Sequence, residues 1–256
     1  MKRILIIGIG AGNPDYITAQ AIAALNQVDV FFLMDKGEAK QAMIALRRDI
    51  CTRFIRPDRR YRFAEARSPD WSRDAGEYGT VIDGLNRDKQ AVFEQLIGAE
   101  LQDGQCAGIL VWGDPALYDS TIRIIDSIAS SGRHAIDYEV IPGISSLQAL
   151  TARHRTTLNR IGRPVEITTG RRLAAGGWPA DADSVFVMLD ADQAFARLAG
   201  ADLDIFWGAY IGTPDEILVA GRLADVADEI TRKRAAARAA HGWIMDSYLL
   251  RRRDRD

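Results

Sequence analysis

Cysteine and histidine are scarce in this chain of 256 residues, and both are scattered along it. The two cysteines, Cys51 and Cys106, cannot build a disulfide framework and form no CxxC pair of the kind that binds zinc. The three histidines, His134, His154 and His241, show no HExxH-type spacing. These absences argue against a disulfide-stabilised secreted domain, and we expect no dedicated metal site.

Long hydrophobic runs are also missing, since no stretch approaches the roughly 18 apolar residues that a membrane span needs. The first apolar run, ILIIGIGAG, is short, is broken by glycines and lacks the A-x-A pattern of a cleavage site. Neither sign of charge dominates, because 33 Lys and Arg oppose 35 Asp and Glu. This balance argues against a general nucleic-acid-binding surface. We therefore expect a soluble, cytoplasmic protein without a membrane or nucleic-acid partner.

Strand and helix patterns alternate along the first half of the chain. Residues 4–7 form a continuous apolar run that ends in glycines, as expected for a strand buried on both faces. Asn13 and Pro14 predict the cap and the first residue of a helix. Further strands are predicted at 28–34, 107–112 and 138–141, and further helices at 38–48, 81–101, 117–129 and 145–152. This alternation predicts an α/β domain over residues 1–156 with a mostly parallel sheet.

The pattern changes after about residue 156, where strands are predicted at 165–169, 184–189, 203–210 and 216–221. The turn Gly212-Thr213-Pro214 joins the last two as a hairpin. We therefore predict a second α/β domain over residues 157–256 with a mixed sheet. Residues 223–240 predict a surface helix, and residues 251–256 (RRRDRD) predict a frayed, solvated tail.

Three glycine-bearing turns follow strands of the first domain. The first, GIGAGN at residues 8–13, has Asn13 where a dinucleotide-binding GxGxxG motif has its third glycine, so a tight strand-to-helix turn is the competing interpretation. In the second, WGDP at 112–115, Asp114 either caps a helix or faces a ligand at the carboxyl edge of the sheet. The third, IPGISS at 141–146, places Ser145 and Ser146 at a helix start. Because these turns contain no Lys or Arg, they favour a nucleoside-like ligand without phosphates.

Five stretches of the sequence resemble the motifs of the tetrapyrrole methylase family, in the same order and spacing: GIGAGNPDYITAQAIAAL, WGDPALYDS, VIPGISSLQAL, SVFVMLD and IGTPDEILVAGRL. The resemblance covers essentially the whole chain. It implies two α/β domains, S-adenosylmethionine (SAM) bound in the cleft between them, and a homodimer.

Within the family, GAGNPDYIT, FFLMDKG and WGAYIGTPDE are similar to members of cobalamin biosynthesis that methylate precorrin-5 at C-1 with loss of acetate. The implied activity is therefore that of a SAM-dependent C-methyltransferase. The alternatives of the same fold act on another corrin carbon, on ribosomal RNA or on diphthine. An NAD(P)-dependent reductase and a non-catalytic tetrapyrrole carrier are the alternatives of other classes.

The resemblance also implies roles for individual residues. Those matching the cofactor-binding motifs are Trp112, Gly113, Asp114, Pro115, Leu117, Ser145, Ser146, Met188, Ala209, Gly212 and Thr213. Two departures from the family pattern stand out. Gly10-Ala11-Gly12-Asn13 lacks the proline of the usual GPGD motif, and Glu216 replaces a frequent glutamine.

Removal of an acetyl group needs water, an oxyanion stabiliser and a general base. The candidates by position are Asp114, Asp15, Tyr16, Asp35 and Arg171, and the sequence does not choose among them. The residues expected to bind substrate are Gly10, Ala11, Arg53, Arg56, Arg59, Arg60, Arg62 and Arg171.

An arginine-rich segment at 47–73, which overlaps a predicted insertion at about 53–80, is consistent with an anionic substrate. Its nine arginines oppose four acids, with Tyr61, Phe63 and Trp71 interleaved. A precorrin is a flat macrocycle with carboxylate arms, which bidentate guanidinium pairs and aromatic contacts would suit. A solvated basic loop and an RNA-binding loop are the alternatives. The arginines are residues 47, 48, 53, 56, 59, 60, 62, 67 and 73.

Overall fold

The computed structural model describes residues 1–35, 41–69 and 78–253. The chain forms two compact units. The first comprises Met1–Gly10 and Pro14–Ser145, and the second comprises Ala11–Asn13 and Ser146–Asp256. Each unit contains one five-stranded sheet.

The first unit is an all-parallel sheet with helices on both faces. Its elements in chain order are β1 (Lys2–Gly8), α1 (Ala19–Leu25), β2 (Val30–Asp35), α2 (Gln41–Phe54), β3 (Arg62–Arg67), α3 (Tyr78–Glu100), β4 (Cys106–Val111), α4 (Thr121–Ser130) and β5 (Ile136–Ile141). The strand order is β3-β2-β4-β1-β5, and every neighbouring pair is parallel.

Strand β1 contributes to an apolar cluster on each face of the sheet, and its residues 4–7 are all fully buried. Ile4 and Ile6 share one cluster with residues of α3 and α4. Leu5 and Ile7 point to the opposite face and pack with residues of α1 and α2. The prediction of a strand buried on both faces is therefore confirmed.

Helix α1 begins later than predicted, at Ala19 rather than at Pro14. Pro14–Tyr16 forms only a single 3-10 turn, closed by the bond from Ile17 N to Pro14 O. Thr18 has extended backbone angles, and its hydroxyl accepts a hydrogen bond from Ala21 N at 3.0 Å. Thr18 is therefore the N-cap, and the prediction that Asn13 caps this helix is wrong.

Helix α4 also begins late, at Thr121 rather than at residue 117. The backbone of Tyr118 is left-handed, with φ 53°, which an α-helix cannot contain. Asp119 Oδ1 accepts a hydrogen bond from Thr121 N at 2.7 Å and satisfies one free amide of the helix start. Asp114 lies further upstream, so of the two interpretations left open for it, the one in which it caps this helix does not hold.

The arginine-rich segment contains β3, an edge strand that the sequence analysis missed. Only Ala64 is buried in its pattern, so no continuous apolar run marks it as a strand. Its backbone pairs in parallel register with β2, from Val30 opposite Arg62 to Asp35 opposite Arg67. Residues 70–73 of the segment, which include Trp71 and Arg73, lie outside the described residues, as does part of the predicted insertion.

The second unit contains a mixed sheet, as predicted. Its elements are α5 (Ser146–Arg153), β6 (Val165–Thr169), α6 (Gly170–Gly176), β7 (Ser184–Met188), β8 (Leu203–Ala209), β9 (Ile217–Arg222), α7 (Leu223–His241) and β10 (Asp246–Arg252). The order is β6-β7-β10-β8-β9, with β6 and β7 parallel and the other pairs antiparallel. The β8–β9 hairpin is confirmed, whereas the short helix α6 was not predicted.

Strand β10 occupies the centre of this sheet, which contradicts the prediction of a frayed tail beginning at residue 251. Tyr248, Leu249 and Leu250 are fully buried, so the preceding apolar run carries the chain into the sheet. Arg251 donates to the carbonyl of Thr157. Residues 254–256 lie outside the described residues. Of the helices in the described ranges, none is both long and apolar enough to cross a membrane.

Candidate functional site

The three glycine-bearing turns of the sequence meet at one edge of the first sheet. They follow β4, β1 and β5, which are adjacent parallel strands, so their carboxyl ends lie side by side. The backbones approach so closely that side chains are excluded. A Cβ on Gly143 would lie 2.1 Å from Gly113 O and 2.9 Å from Gly8 Cα. Glycine is therefore required at position 143 by the packing of the turns themselves.

A carboxylate joins two of these turns. Asp114 Oδ1 accepts a hydrogen bond from Ala116 N at 2.8 Å, which closes its own turn. Asp114 Oδ2 accepts a hydrogen bond from Gly143 N at 2.9 Å. Because each oxygen already accepts a backbone N–H, the carboxylate fixes the second turn against the third. Its predicted roles in cofactor binding and catalysis stay predictions.

The first and second turns are joined by a pair of backbone hydrogen bonds. Gly113 N donates to Gly10 O at 2.8 Å, and Gly10 N donates to Gly113 O at 3.3 Å. The neighbouring residues predicted to bind cofactor differ in exposure: Pro115 is buried, and Trp112 and Leu117 are half-buried. The structure therefore brings the predicted residues of the second turn to the same edge as Gly10.

The two serines of the third turn have different environments. Ser145 is buried, with 4% of its surface exposed. Ser146 is half-buried and is the first residue of α5. Its hydroxyl oxygen is buried, yet it has no hydrogen-bond partner among the residues that the structure describes. A buried hydroxyl without a partner is able to bind a polar ligand atom.

The remaining catalytic candidates of the first unit lie beside these turns in sequence. Asp15 is exposed and Tyr16 half-buried, in the 3-10 turn that follows the first glycine-bearing turn. Tyr16 packs on Gly10, where an added Cβ would lie 2.8 Å from Tyr16 Cβ. Asp35 is the last residue of β2, and its side chain is outside what the structure describes.

In the second unit, the segment Ala11–Asn13 packs against the turn between β8 and β9. A Cβ on Gly12 would lie 2.3 Å from Ile211 O, and the φ of Gly12 is +134°. Both observations require glycine here without invoking a pyrophosphate. Ala11, a predicted substrate contact, is buried with 2% exposed.

That turn is held by Glu216, whose role the sequence left open. Glu216 Oε2 accepts a hydrogen bond from Gly212 N at 2.8 Å. Glu216 Oε1 accepts from Arg153 Nε at 2.7 Å. Thr213 Oγ1 donates to Tyr210 O at 2.8 Å, within the same turn. The contact to Arg153 joins residues 63 positions apart, so no local pattern could have revealed it.

The other predicted residues of the second unit lie on separate elements. Met188 is the half-buried last residue of β7, and Ala209 is the fully buried last residue of β8. Both strands pair with β10, with Met188 opposite Ser247 and Ala209 opposite Asp246. Arg171 is exposed on α6.

The five arginines of the arginine-rich segment that are expected to bind substrate lie at the amino ends of the strands of the first sheet, whereas the glycine-bearing turns lie at the carboxyl ends. They occupy the end of α2, the connection to β3 and the first residue of β3, which is the amino end of a parallel strand. Four have acidic partners nearby, and Arg60 is exposed. Their contact with substrate stays a prediction. The ion pairs are Arg53–Asp49 at 2.8 Å, Arg56–Asp58 at 3.7 Å, Arg59–Asp29 at 3.6 Å and Arg62–Glu100 at 2.6 Å.

Comparison with known proteins gives consistent matches along the chain. Residues 3–227 match the family model of the tetrapyrrole (corrin/porphyrin) methylases. A precorrin-6A synthase [deacetylating] of Sinorhizobium sp is 49% identical over 253 residues, which cover 98% of this chain and 96% of that protein.

Solved structures agree with this match. A protein of Corynebacterium diphtheriae, described as related to cobalamin synthesis, has a TM-score of 0.81 and 32% identity, covering 99% of this chain and 100% of that one. The uroporphyrin-III C-methyltransferase of Thermus thermophilus in complex with S-adenosylhomocysteine shares the fold. Its TM-score is 0.58 at 16% identity, and the match covers 97% of this chain and 91% of that one. With two five-stranded sheets of the expected types and a family match over most of its length, the chain belongs to the tetrapyrrole (corrin/porphyrin) methylase family.

Proposed function

We propose that this protein is a SAM-dependent C-methyltransferase of cobalamin biosynthesis that methylates precorrin-5 at C-1, with loss of acetate, to give precorrin-6A. The observation that carries the proposal is the 49% identity to a precorrin-6A synthase over 98% of this chain. The joined turns at the carboxyl edge of the first sheet support it, because ligands of open α/β sheets bind at that edge.

SAM is the proposed methyl donor, and the residues of the turns fit it. Their backbone groups and the unpartnered hydroxyl of Ser146 offer hydrogen bonds to a polar, phosphate-free ligand. A uroporphyrin-III C-methyltransferase with the same fold was solved with S-adenosylhomocysteine, which supports the same cofactor class here. When bound, SAM supplies an activated methyl group. The residues of this chain have to hold the carbon nucleophile in line with that methyl group.

In the first unit, the proposed contacts of SAM are the second turn and Ser145 of the third turn. In the second unit the proposed contacts are Ser146, Met188, Ala209, Gly212 and Thr213. The Asp114 carboxylate holds the first-unit turns in place through its bond to Gly143 N. Glu216 performs the corresponding task for Gly212.

Loss of the acetyl group requires water to attack its carbonyl, so that the C–C bond breaks and acetate leaves. Asp15 and Tyr16 are proposed for the proton transfers of this step. Unlike Asp114, Asp15 is an exposed carboxylate beside the first turn. The phenol of Tyr16 is able to donate a hydrogen bond to a developing oxyanion.

Mass spectrometry of the reaction with precorrin-5 and SAM tests the proposal. We expect three products: S-adenosylhomocysteine, acetate, and a macrocycle in which a methyl group has replaced the acetyl group. Methylation without release of acetate would identify another corrin methylase, and absence of methyl transfer would refute the proposal. A Gly113→Arg variant serves as the control, since its side chain would fill the turn and abolish SAM binding.

The proposal also keeps two expectations from the sequence, a homodimer and a cytoplasmic location. Analytical ultracentrifugation of the purified protein tests the first. Fractionation of the producing cells tests the second. A monomeric protein, or one recovered outside the cytoplasm, would contradict the corresponding part.

A further inference from the structure

A small cavity opens in the first unit at the carboxyl ends of β2 and β4. Its volume is about 160 Å³, well below the roughly 300–1,000 Å³ of pockets that enclose whole ligands. Its walls are mainly apolar, and polar groups are concentrated at a few positions. The lining includes Phe32 and Met34 from β2, Trp112 after β4, Lys89 and Phe93 from α3, Arg47 from α2 and Asp119 before α4.

The chain topology makes this the place where a ligand is expected. Strand β2 is followed by α2, which leads outward to β3, whereas β4 is followed by α4, which leads the other way to β5. The two helices pack on opposite faces of the sheet. Adjacent strands whose connections diverge leave a crevice at their carboxyl ends, and open α/β sheets bind ligands there.

Arg47 is the chemically distinctive residue of the cavity. Its Nε donates to Leu110 O at 3.0 Å, and its Nη1 donates to Met43 O at 3.0 Å. Both acceptors are neutral carbonyls, and no described carboxylate lies within ion-pair distance of the guanidinium. Burial lowers the pKa of Arg47, which the charge of Asp119 partly opposes. The guanidinium of an arginine stays protonated in proteins, so Arg47 is a cation at neutral pH.

The bonds to the two carbonyls also fix the direction of the guanidinium. Arginine has five N–H donors, so these bonds leave Nη2 and one hydrogen of Nη1 for another acceptor. A carboxylate suits this arrangement best, because a guanidinium binds it through two parallel hydrogen bonds. Apolar walls strengthen such a pair by excluding water.

We propose that Arg47 binds one carboxylate arm of the tetrapyrrole substrate in this cavity. The volume admits an acetate or propionate arm and excludes the macrocycle, so the ring stays outside while one arm is anchored. This inference rests on the proposed function for the identity of the substrate. It assigns carboxylate recognition to an arginine at the same sheet edge as the glycine-bearing turns.

The contrast with the other arginines of the segment supports this choice. Arg53, Arg59 and Arg62 each have an acidic partner and lie at the amino ends of the strands. Arg48, the next residue of α2, pairs with Glu65 and lies over the ring of Phe63. Arg47 is distinguished from them by neutral partners and by its place in the cavity.

Steady-state kinetics of Arg47→Gln and Arg47→Lys test the proposal with precorrin-5 and SAM. Loss of a charge-assisted pair should raise the KM for precorrin-5 roughly tenfold or more in Arg47→Gln, while the dissociation constant of SAM stays unchanged. Arg47→Lys keeps the positive charge but loses the paired N–H donors of the planar guanidinium, so a smaller rise in the KM for precorrin-5 is expected. Arg133→Gln, which removes an exposed arginine paired with Glu94, is the matched control and should match the wild type.

A stable probe separates this inference from the proposed function. Fluorescence titration with uroporphyrin III, which carries carboxylate arms, should show weaker binding to both Arg47 variants than to the wild type. Binding of its esterified form should not distinguish the three proteins. This result would support the inference even if precorrin-5 is not methylated.

The opposite results are equally clear. Wild-type KM and wild-type uroporphyrin affinity in Arg47→Lys would overturn the inference, and they would do so even if Arg47→Gln failed to fold. Equal loss of affinity for the acid and the ester would also overturn it, because Arg47 would then only support the fold.

Discussion

Asp114 and Gly143, which are 29 positions apart in the chain, are joined by a hydrogen bond of 2.9 Å from the Gly143 amide to the Asp114 carboxylate. The other oxygen of that carboxylate closes the turn at Ala116. A single side chain therefore determines how two of the proposed SAM-binding turns meet.

Asp114→Asn should weaken the connection between the two turns. The asparagine side chain has one acceptor oxygen, whereas the backbone N–H groups of Ala116 and Gly143 both need an acceptor. One backbone amide would then face an NH₂ group, and we expect a loss of about 1–3 kcal/mol in the free energy of unfolding. SAM affinity should fall, as measured by calorimetry. Asp137→Asn, at an exposed position of β5, is the control and should retain both values. Unchanged SAM affinity in Asp114→Asn would separate the turns from the cofactor.

A side chain at position 143 should disturb the packing of the same turns. Gly143→Ala places a methyl carbon 2.1 Å from Gly113 O, so the turns must separate. We expect loss of SAM binding and a lower thermal midpoint. In Gly98→Ala the added carbon, on an interior position of α3, has its closest contact at 3.7 Å. That control should be stabilised by about 0.5–1 kcal/mol. Wild-type SAM binding by Gly143→Ala would contradict the proposed site.

Glu216 should act as a positioning residue for the Gly212 turn. Glu216→Ala removes the acceptor for Gly212 N and the partner of Arg153, so SAM affinity should fall several-fold. Glu216→Gln retains an oxygen for Gly212 N and should keep more of that affinity. Asp215→Asn, at the exposed neighbouring position, is the control. Equal affinity in the Ala and Gln variants would show that the bond to Gly212 does not matter.

A buried ion pair in the second unit predicts a pH-dependent loss of stability. Arg234 Nε donates to Asp246 Oδ2 at 2.9 Å, and burial raises the pKa of Asp246 even beside this cation. Arg234→Met removes the cationic partner of the carboxylate and leaves it, among the described residues, only the hydrogen bond from Trp207 Nε1, so the variant should lose about 3–5 kcal/mol at neutral pH. The pKa of Asp246 rises further in the variant. Protonation should therefore restore part of the lost stability as the pH falls below neutral.

Urea denaturation at several pH values measures this effect. Arg232→Gln, at an exposed position of α7, should behave like the wild type. A loss of stability in Arg234→Met that is the same at every pH would contradict the assignment to Asp246.

Thiol reactivity should report unfolding. Burial raises the pKa of Cys51 to about 12 and that of Cys106 to about 11. The thiolate is the reactive form, so both residues should resist a disulfide reagent at pH 8 in the folded protein. In urea both should react fully. Rapid modification of the native protein would contradict the burial of these side chains.

Local patterns predicted much of the fold, because strand β1 and the β8–β9 hairpin are marked by short-range features. The run at residues 4–7 is apolar throughout, and Gly212-Thr213-Pro214 supplies a recognisable turn. Helix starts were harder to predict. Asn13 and Thr18 are both suitable caps, and the choice depended on backbone angles that the sequence does not show.

The motifs of the candidate site could be predicted from the sequence, but the contacts between those motifs could not. Glycine-bearing turns after adjacent parallel strands predicted the edge where they meet. The bond from Gly143 N to Asp114 and the pair between Arg153 and Glu216 join distant positions, so periodicity gave no signal of them. Composition likewise cannot show which arginines of the arginine-rich segment have acidic partners, such as Arg53 with Asp49.

The central place of β10 has a consequence for synthesis on the ribosome. Strands β7 and β8 do not pair with each other, and each pairs with β10, which spans residues 246–252. The second sheet therefore cannot close until those residues have left the exit tunnel. All five strands of the first sheet precede residue 142, so that unit is able to fold while the rest of the chain is still being translated.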